Sequence, residues 1–250
     1  MDNEDIKKVE YLLDHPDEIS FAYQPIFNVK DNTVYGYETL MRPAPFNPIE
    51  FIEAARSINR LGDIEEITMI YGTMHLLEAG LKGKAFFNTL PEASLSPEVM
   101  EKCRRIGLKP LRGRNIYEIL EYTNHNEEAW NAKVNAIRES NSEAQFAVDD
   151  FGTGDNIMFE VLDKYKPAIV KIDRSYIANI AFDRENQRIV DLMCHEIKKR
   201  GIMTLAEGVE TEEEYYYLLD QDIDLMQGFY LGKPKLYTEY IEEAKKNKEQ

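Results

Sequence analysis

Short runs of apolar, β-branched and aromatic residues alternate with amphipathic stretches along almost the whole chain. Eight of these runs read as strands: SFAYQPIFNV from Ser20, VYGYETLMR from Val34, KAFFNTL from Lys84, NIYEILE from Asn115, QFAVDDF from Gln145, AIVKID from Ala168, IMTLAEGV from Ile202 and LMQGFYLG from Leu225. Each is bounded by charged or turn-forming residues, as strands are. The first two are parted only by Lys30-Asp31-Asn32-Thr33, which suits an antiparallel hairpin. Beyond the second run, a helical stretch separates every pair.

The helices have legible ends. In SPEVMEKCRRIG, Ser96 is placed to cap, Pro97 opens the first turn and Gly107 supplies a stop. TEEEYYYLLDQD begins on Thr211 with Glu214 in the third helical position, a capping box. FIEAARSINRLGDIEEITMIYGTMHLLEAG exceeds one ordinary helix, so Leu61-Gly62 is expected to divide it and Gly80 to end it. RENQRIVDLMCHEIKKRG closes on a basic cluster and Gly201, as a helix C-terminus prefers.

Strands alternating with helices over this length predict an α/β fold, a (β/α)₈ TIM-like barrel. It is expected to form a single domain over residues 1–250, with its core at about 20–236 and peripheral helices at 2–15 and 238–247. An open doubly wound sheet is the competitor, but no GxGxxG follows the first strand. Neither a Pro- or Ser-rich linker nor a low-complexity tract interrupts the alternation.

Composition narrows the partners. Forty-six Asp and Glu against 30 Lys and Arg leave a formal charge of −16. Such a chain repels polyanions, so neither polymeric nucleic acid nor an anionic membrane surface is an expected partner. No apolar run approaches the roughly eighteen residues of a membrane span. MDNEDIKKVEYLLDHPDE lacks the basic-then-apolar layout of a signal peptide, and two cysteines, Cys103 and Cys194, make no disulfide framework. A reduced, cytoplasmic setting is the expectation. For this chain to bind phosphates, a local device must overcome its net field, and metal ions are the usual one.

Most predicted strands end on a polar residue: Glu38, Asn88, Glu118, Asp149-Asp150, Lys171, Glu207 and Gln227. Any one of them alone reads as a solvated loop residue. Their recurrence on seven strands points instead to a shared site, because the C-terminal strand ends of such a barrel meet on one face. Five carboxylates gathered there repel one another and raise each other's pKa unless neutralised. Two divalent ions together with Lys171 would balance them. Oxygen ligands suit Mg²⁺ or Mn²⁺, and paired hard cations are standard apparatus for in-line attack of water on a phosphodiester. The histidines His15, His75, His125 and His195 form no HExxH pair and read as surface or helix-face residues. Adjacent Asp149 and Asp150 reach one site only where the strand ends and turns, and Phe151-Gly152-Thr153-Gly154 is the expected turn. DFG occurs in protein kinases too, but no HRD-like loop accompanies it here.

In order, these residues resemble the EAL-domain family of cyclic di-GMP phosphodiesterases, from about Phe21 to Pro234. Tyr23-Gln24-Pro25-Ile26 looks like the family's QPI segment, and Tyr37-Glu38-Thr39-Leu40-Met41-Arg42 like its signature strand. Asn88 in FFNTLPEASLSP, Glu118-Ile119-Leu120-Glu121, Asp149 to Gly154 (DDFGTG), Lys171-Ile172-Asp173, Ala206 to Thr211 and Gln227-Gly228-Phe229 complete the set. Singly these motifs are weak; together and in order they are highly specific.

The resemblance implies a barrel whose first strand is antiparallel and a chemistry that hydrolyses cyclic di-GMP to linear 5′-pGpG with two Mg²⁺ or Mn²⁺ ions, Ca²⁺ being inhibitory. By the same resemblance, Glu38, Asn88, Glu118 and Asp149 hold one metal, and Asp149 shares the second with Asp150 and Glu207. Lys171 acts on the attacking water, and Glu121 anchors the glycine-bearing loop. Gln24, Leu40, Arg42, Asp173 and Gln227 contact substrate. A homodimer through the loop after Asp150 is also implied. Thr39 stands where the family has alanine, Asp155-Asn156-Ile157 replaces its usual Tyr-Ser-Ser, and one extra residue precedes Lys171. These departures bear on regulation and dimer geometry more than on ligand identity. The rival readings are a cyclic di-GMP sensor that binds without cutting and a protein-interaction module.

Overall fold

The structure, a computed structural model, describes residues 2–90, 92–93, 96–111, 113–120, 127–153 and 159–247. After α1 (Asn3–Asp14), β1 (Ser20–Asn28) turns through Asn32, φ +52°, into β2 (Val34–Arg42). The two pair antiparallel from Ser20 opposite Arg42 to Phe27 opposite Val34, as the four-residue gap predicted. Parallel strands follow: β3 (Lys84–Asn88), β4 (Asn115–Leu120), β5 (Gln145–Phe151), β6 (Ile169–Ile172), β7 (Met203–Ala206) and β8 (Leu225–Met226). β8 pairs antiparallel with β1 at Phe27 and Asn28, which closes the barrel. All eight predicted strands form, with the first reversed.

The α-helices that follow α1 among the described residues are α2 (Pro48–Ser57), α3 (Leu61–Glu78), α4 (Pro97–Lys102), α5 (Glu127–Ser140), α6 (Phe159–Tyr165), α7 (Arg174–Ile177), α8 (Arg184–Lys199), α9 (Glu212–Leu219) and α10 (Tyr237–Lys246). Among the described residues, no helix is long and apolar enough to cross a membrane. Caps follow local chemistry: Ser96 accepts from the Val99 N–H at 3.3 Å, and Thr211 and Glu214 form the reciprocal box. Gly80 (φ +68°) and Gly201 (φ +73°) end α3 and α8.

Three local readings need correction. The break between α2 and α3 falls at Ile58–Arg60, where Asn59 takes φ +57°, so Leu61-Gly62 is the first turn of α3 and not a division. Gly107 does not stop its helix. After α4 the chain continues as a π-helical turn over Cys103–Leu108, and Gly107 lies against α3: a Cβ there would sit 2.4 Å from Met69 O. Close approach, not termination, is what requires glycine at this point. Finally, a short β9 (Lys235–Leu236), absent from the sequence reading, pairs with Ala22 and Tyr23 and leads into α10.

One relationship places the site. Ile26, Phe86, Ile116, Ala147, Ile169, Leu205 and Leu225, one from each of seven strands, form a single buried cluster. Side chains two apart in a strand share a face. Two positions further on from six of these residues stand Asn88, Glu118, Asp149, Lys171, Glu207 and Gln227. In reversed β1 the order inverts, so Gln24 precedes Ile26. Glu38 lies opposite Gln24 in the hairpin register. An apolar layer therefore floors the barrel, with a polar layer directly above it. Two further apolar clusters pack the helices onto the outside.

Candidate active site

Lys171 sits at the centre of the polar layer with its side chain 1% exposed. Its Nζ lies 2.6 Å from Glu118 Oε1, 2.7 Å from Asp149 Oδ1 and 2.8 Å from Glu207 Oε1. Burial works against the ammonium, but Asp149, Glu118, Glu207 and Glu38 outweigh it and hold the Lys171 pKa well above the ordinary lysine value. One cation cannot satisfy so many anions. Protons make up part of the deficit: burial, then the charges of Asp149 and Glu38, push Glu207 up to about 8 against the pull of Lys171. Burial likewise raises Glu118 well above the usual carboxylate range.

Asp150 reaches the same cluster by a backbone device. Its φ is +52°, and the β5–β6 register shifts between Val148 and Phe151. The left-handed conformation reverses the alternation, so two adjacent aspartates face one point, and the turn begins one residue earlier than the glycines suggest. Carboxylate oxygens of Asp149, Asp150 and Glu207 all lie within 4.8 Å of one another. Burial, with Asp149 and Asp173 nearby, raises Asp150 to about 6.

The opposite side of the layer is an amide relay. Gln227 Nε2 donates to Glu38 Oε2 at 2.6 Å and to Gln24 Oε1 at 3.2 Å, and Gln24 Nε2 donates to Gly232 O at 3.1 Å. Asn88 Nδ2 lies 3.4 Å from Glu38 Oε1. Two hollows flank the layer. One, of about 280 Å³, is lined by Leu40, Arg42, Ile52, Asn88, Glu118 and Asp149. The other, of about 210 Å³, is lined by Gln24, Glu38, Arg174, Glu207, Gln227 and Phe229. Asp173 lines neither hollow; its carboxylate caps α7, accepting from the Ser175 N–H at 2.9 Å. Glu121 and the segment Asp155-Asn156-Ile157 lie outside the described residues.

The donor set fits hard divalent cations. Carboxylates and an amide oxygen are the available ligands, their net charge is negative after Lys171 is counted, and buried Glu118 Oε2 has no hydrogen-bond partner among the described residues. Three further polar residues support the site and were missed in the sequence. Thr89 Oγ1 donates to Glu118 O at 2.7 Å. Buried Glu65 and Lys133 pair at 2.6 Å beneath the segment after Asn88. Glu65 sits in the run Asp63-Ile64-Glu65-Glu66-Ile67, where its neighbour Glu66 is just as acidic, so the sequence does not single it out. Nothing local marks Thr89 or Lys133 either.

Comparison with known proteins agrees with this geometry. The family model that matches is that of the EAL domain, over residues 8–234. A probable cyclic di-GMP phosphodiesterase of Escherichia coli, PdeG, is 28% identical over 237 residues, which are 90% of this chain and 46% of that protein. The chain thus spans about half the length of curated relatives it matches. Among solved structures, Klebsiella pneumoniae BlrP1 in a manganese/cy-diGMP complex superposes with TM-score 0.76 and 25% identity, covering 88% of this chain and 56% of that one. A standalone versatile EAL protein from Vibrio cholerae O395, c-di-GMP bound, gives TM-score 0.69 and 27% identity over 88% of this chain and 93% of that one.

Proposed function

The chain belongs to the EAL-domain family, and from that premise we propose that it is a metal-dependent phosphodiesterase hydrolysing cyclic di-GMP to linear 5′-pGpG. The observation that carries the reading is the polar layer itself: Lys171 buried among Glu118, Asp149 and Glu207, with Asp150 turned inward beside them. A surface displayed only for protein contacts has no use for buried, mutually repelling acids, which cost stability unless a ligand offsets them.

In this proposal Glu38, Asn88, Glu118 and Asp149 hold one ion, and Asp149, Asp150 and Glu207 the other, Mg²⁺ or Mn²⁺ in each case. Bound there, the ions supply Lewis acidity toward water and phosphate oxygens. The protein's own share is orientation. Lys171 is kept protonated by its carboxylates, and all three of its N–H donors face Glu118, Asp149 and Glu207; with those carboxylates drawn to the ions, one donor would turn to the incoming water. Arg42, partly buried at the rim of the larger hollow, offers a planar fork to phosphate oxygens. Leu40 beside it supplies apolar wall, and Gln24 and Gln227 give amide contacts across the layer. Asp173 and Glu121 complete the assignment, the latter anchoring the loop after Asp150, which we further propose forms a homodimer contact. A cytoplasmic setting follows from the same reading.

The test is incubation with cyclic di-GMP, with and without Mn²⁺, followed by nucleotide chromatography. Metal-dependent appearance of pGpG is the expected result. Nucleotide retained without turnover in any metal would instead make the chain a binder that does not cut.

A further inference from the structure

Tyr176 reaches the turn that follows Asp150 from a different element, and its hydroxyl donates to Gly152 O at 2.6 Å. That turn is conformationally demanding. Asp150 has φ +52° and Gly152 φ +97°. A non-glycine residue in the left-handed region persists only when its surroundings over-determine it. Within the turn, the Thr153 N–H donates to Asp150 O at 3.2 Å, and buried Phe151 pairs with Ile172. Tyr176 adds a restraint from α7. Its ring packs so closely that a Cβ on Gly152 would lie 2.7 Å from Cε2, and the same Cβ would lie 2.6 Å from Met193 Cε. The phenol is itself fixed at the other end, because α7 starts on Asp173 and the Tyr176 N–H donates to Asp173 O at 3.1 Å.

We propose that Tyr176 is a positioning residue for Asp150: its hydrogen bond to Gly152 O holds the strained turn in the form that aims the Asp150 carboxylate at Asp149 and Glu207. The proposal rests on the metal-dependent reading above. Tyr176 reaches Asp150 through the backbone carbonyl of Gly152, two residues further along the chain. It also joins Asp173, at the head of α7, to Asp150 as one mechanical unit.

The experiment compares the wild type with Tyr176→Phe, which keeps the packed ring and deletes only the hydroxyl. Mn²⁺ is titrated into each protein, read by calorimetry and by the rise in melting temperature, and cyclic di-GMP hydrolysis is measured across the same Mn²⁺ series. The expected result is a half-saturating Mn²⁺ concentration raised by roughly fivefold, the scale of one ordinary hydrogen bond. Turnover at saturating Mn²⁺ and the KM for cyclic di-GMP should stay near wild type. An unchanged Mn²⁺ half-point overturns the proposal, and a fall confined to the metal-free melting temperature does so as well, since a merely structural role moves only that quantity. A wild type that itself binds no Mn²⁺ would instead overturn the functional reading, and this inference with it.

Discussion

Lys171 Nζ lies 2.6 Å from Glu118 Oε1, and each side chain is 1% exposed. Removing one partner of a buried pair strands a charge, which costs about 3–5 kcal/mol when nothing else compensates. Here protons can compensate, because Glu118 and Glu207 already sit well above ordinary carboxylates. Lys171→Ala is therefore expected to fold but to melt lower when metal-free. In the proposed mechanism its loss falls on the reacting water more than on the guanines. Turnover should drop by at least roughly a hundredfold, the scale of a positioned proton-transfer group. Affinity for cyclic di-GMP in Ca²⁺ should stay near wild type. Calorimetry beside single-turnover hydrolysis checks this; equal loss of binding and rate would make Lys171 a substrate clamp.

The pH dependence has a definite sign. Asp150, at about 6, and Glu207, at about 8, are raised from ordinary starting values of 3.8 and 4.5. A carboxyl raised in the folded state stabilises fully below its unfolded pKa, and that contribution disappears as pH climbs through the folded pKa. Chelated protein should thus lose melting temperature between about pH 4 and pH 8, while Lys171 stays protonated throughout. Protons and divalent ions compete for the same oxygens, so Mn²⁺ affinity should rise over this window. Melting curves from pH 5 to 9, with chelator and with saturating Mn²⁺, test both statements. A flat chelated profile would contradict the first.

Glu38 accepts from Gln227 Nε2 at 2.6 Å and lies 3.4 Å from Asn88 Nδ2 on the adjacent strand. Glu38→Ala removes a carboxylate from the polar layer and leaves the apolar floor of Ile26, Phe86 and their neighbours intact. Hydrolysis should collapse by roughly a hundredfold or more, the usual reach of a group acting at the reacting centre. Circular dichroism should be unchanged. Near wild-type turnover at saturating Mn²⁺ would remove Glu38 from the metal assignment.

Much of the barrel was legible because its two signals are short-ranged. A two-residue period puts Ile169 with Lys171, and Phe86 with Asn88, on one face of a strand, and the barrel topology brings those faces together. What was illegible depends on tertiary contact. Gly107 has the local signature of a stop, yet α3 decides its role by leaving room for no Cβ. Asn59, not the neighbouring glycine, takes the positive φ between α2 and α3. The centrality of Lys171 cannot be seen from a list of strand ends, because it is a matter of three distances. β9 is two residues long, too short for any alternation to register.

Glu65 and Lys133 carry the last prediction. They lie on α3 and α5, with side chains 2% and 9% exposed, and pair at 2.6 Å. Between them they grip the backbone just after Asn88: Glu65 Oε1 accepts from the Leu90 N–H at 2.5 Å, and Lys133 Nζ donates to Leu90 O at 3.0 Å and Ala93 O at 2.7 Å. Burial raises the Glu65 pKa, and Lys133 opposes the rise. Lys133→Met leaves a buried carboxylate and two carbonyls without their donor, so it should cost about 3–5 kcal/mol of unfolding free energy. Glu65→Leu strands the ammonium and the Leu90 N–H, with a similar loss. The double change removes both charges together and should recover part of the deficit, leaving a coupling of about 1–3 kcal/mol between the sites. Recovery will be incomplete, because the Leu90 and Ala93 backbone groups stay unpaired. Chemical denaturation of the three variants measures the cycle. Additive losses, with no coupling, would mean that each residue holds the segment after Asn88 independently and that the ion pair itself is not the clamp.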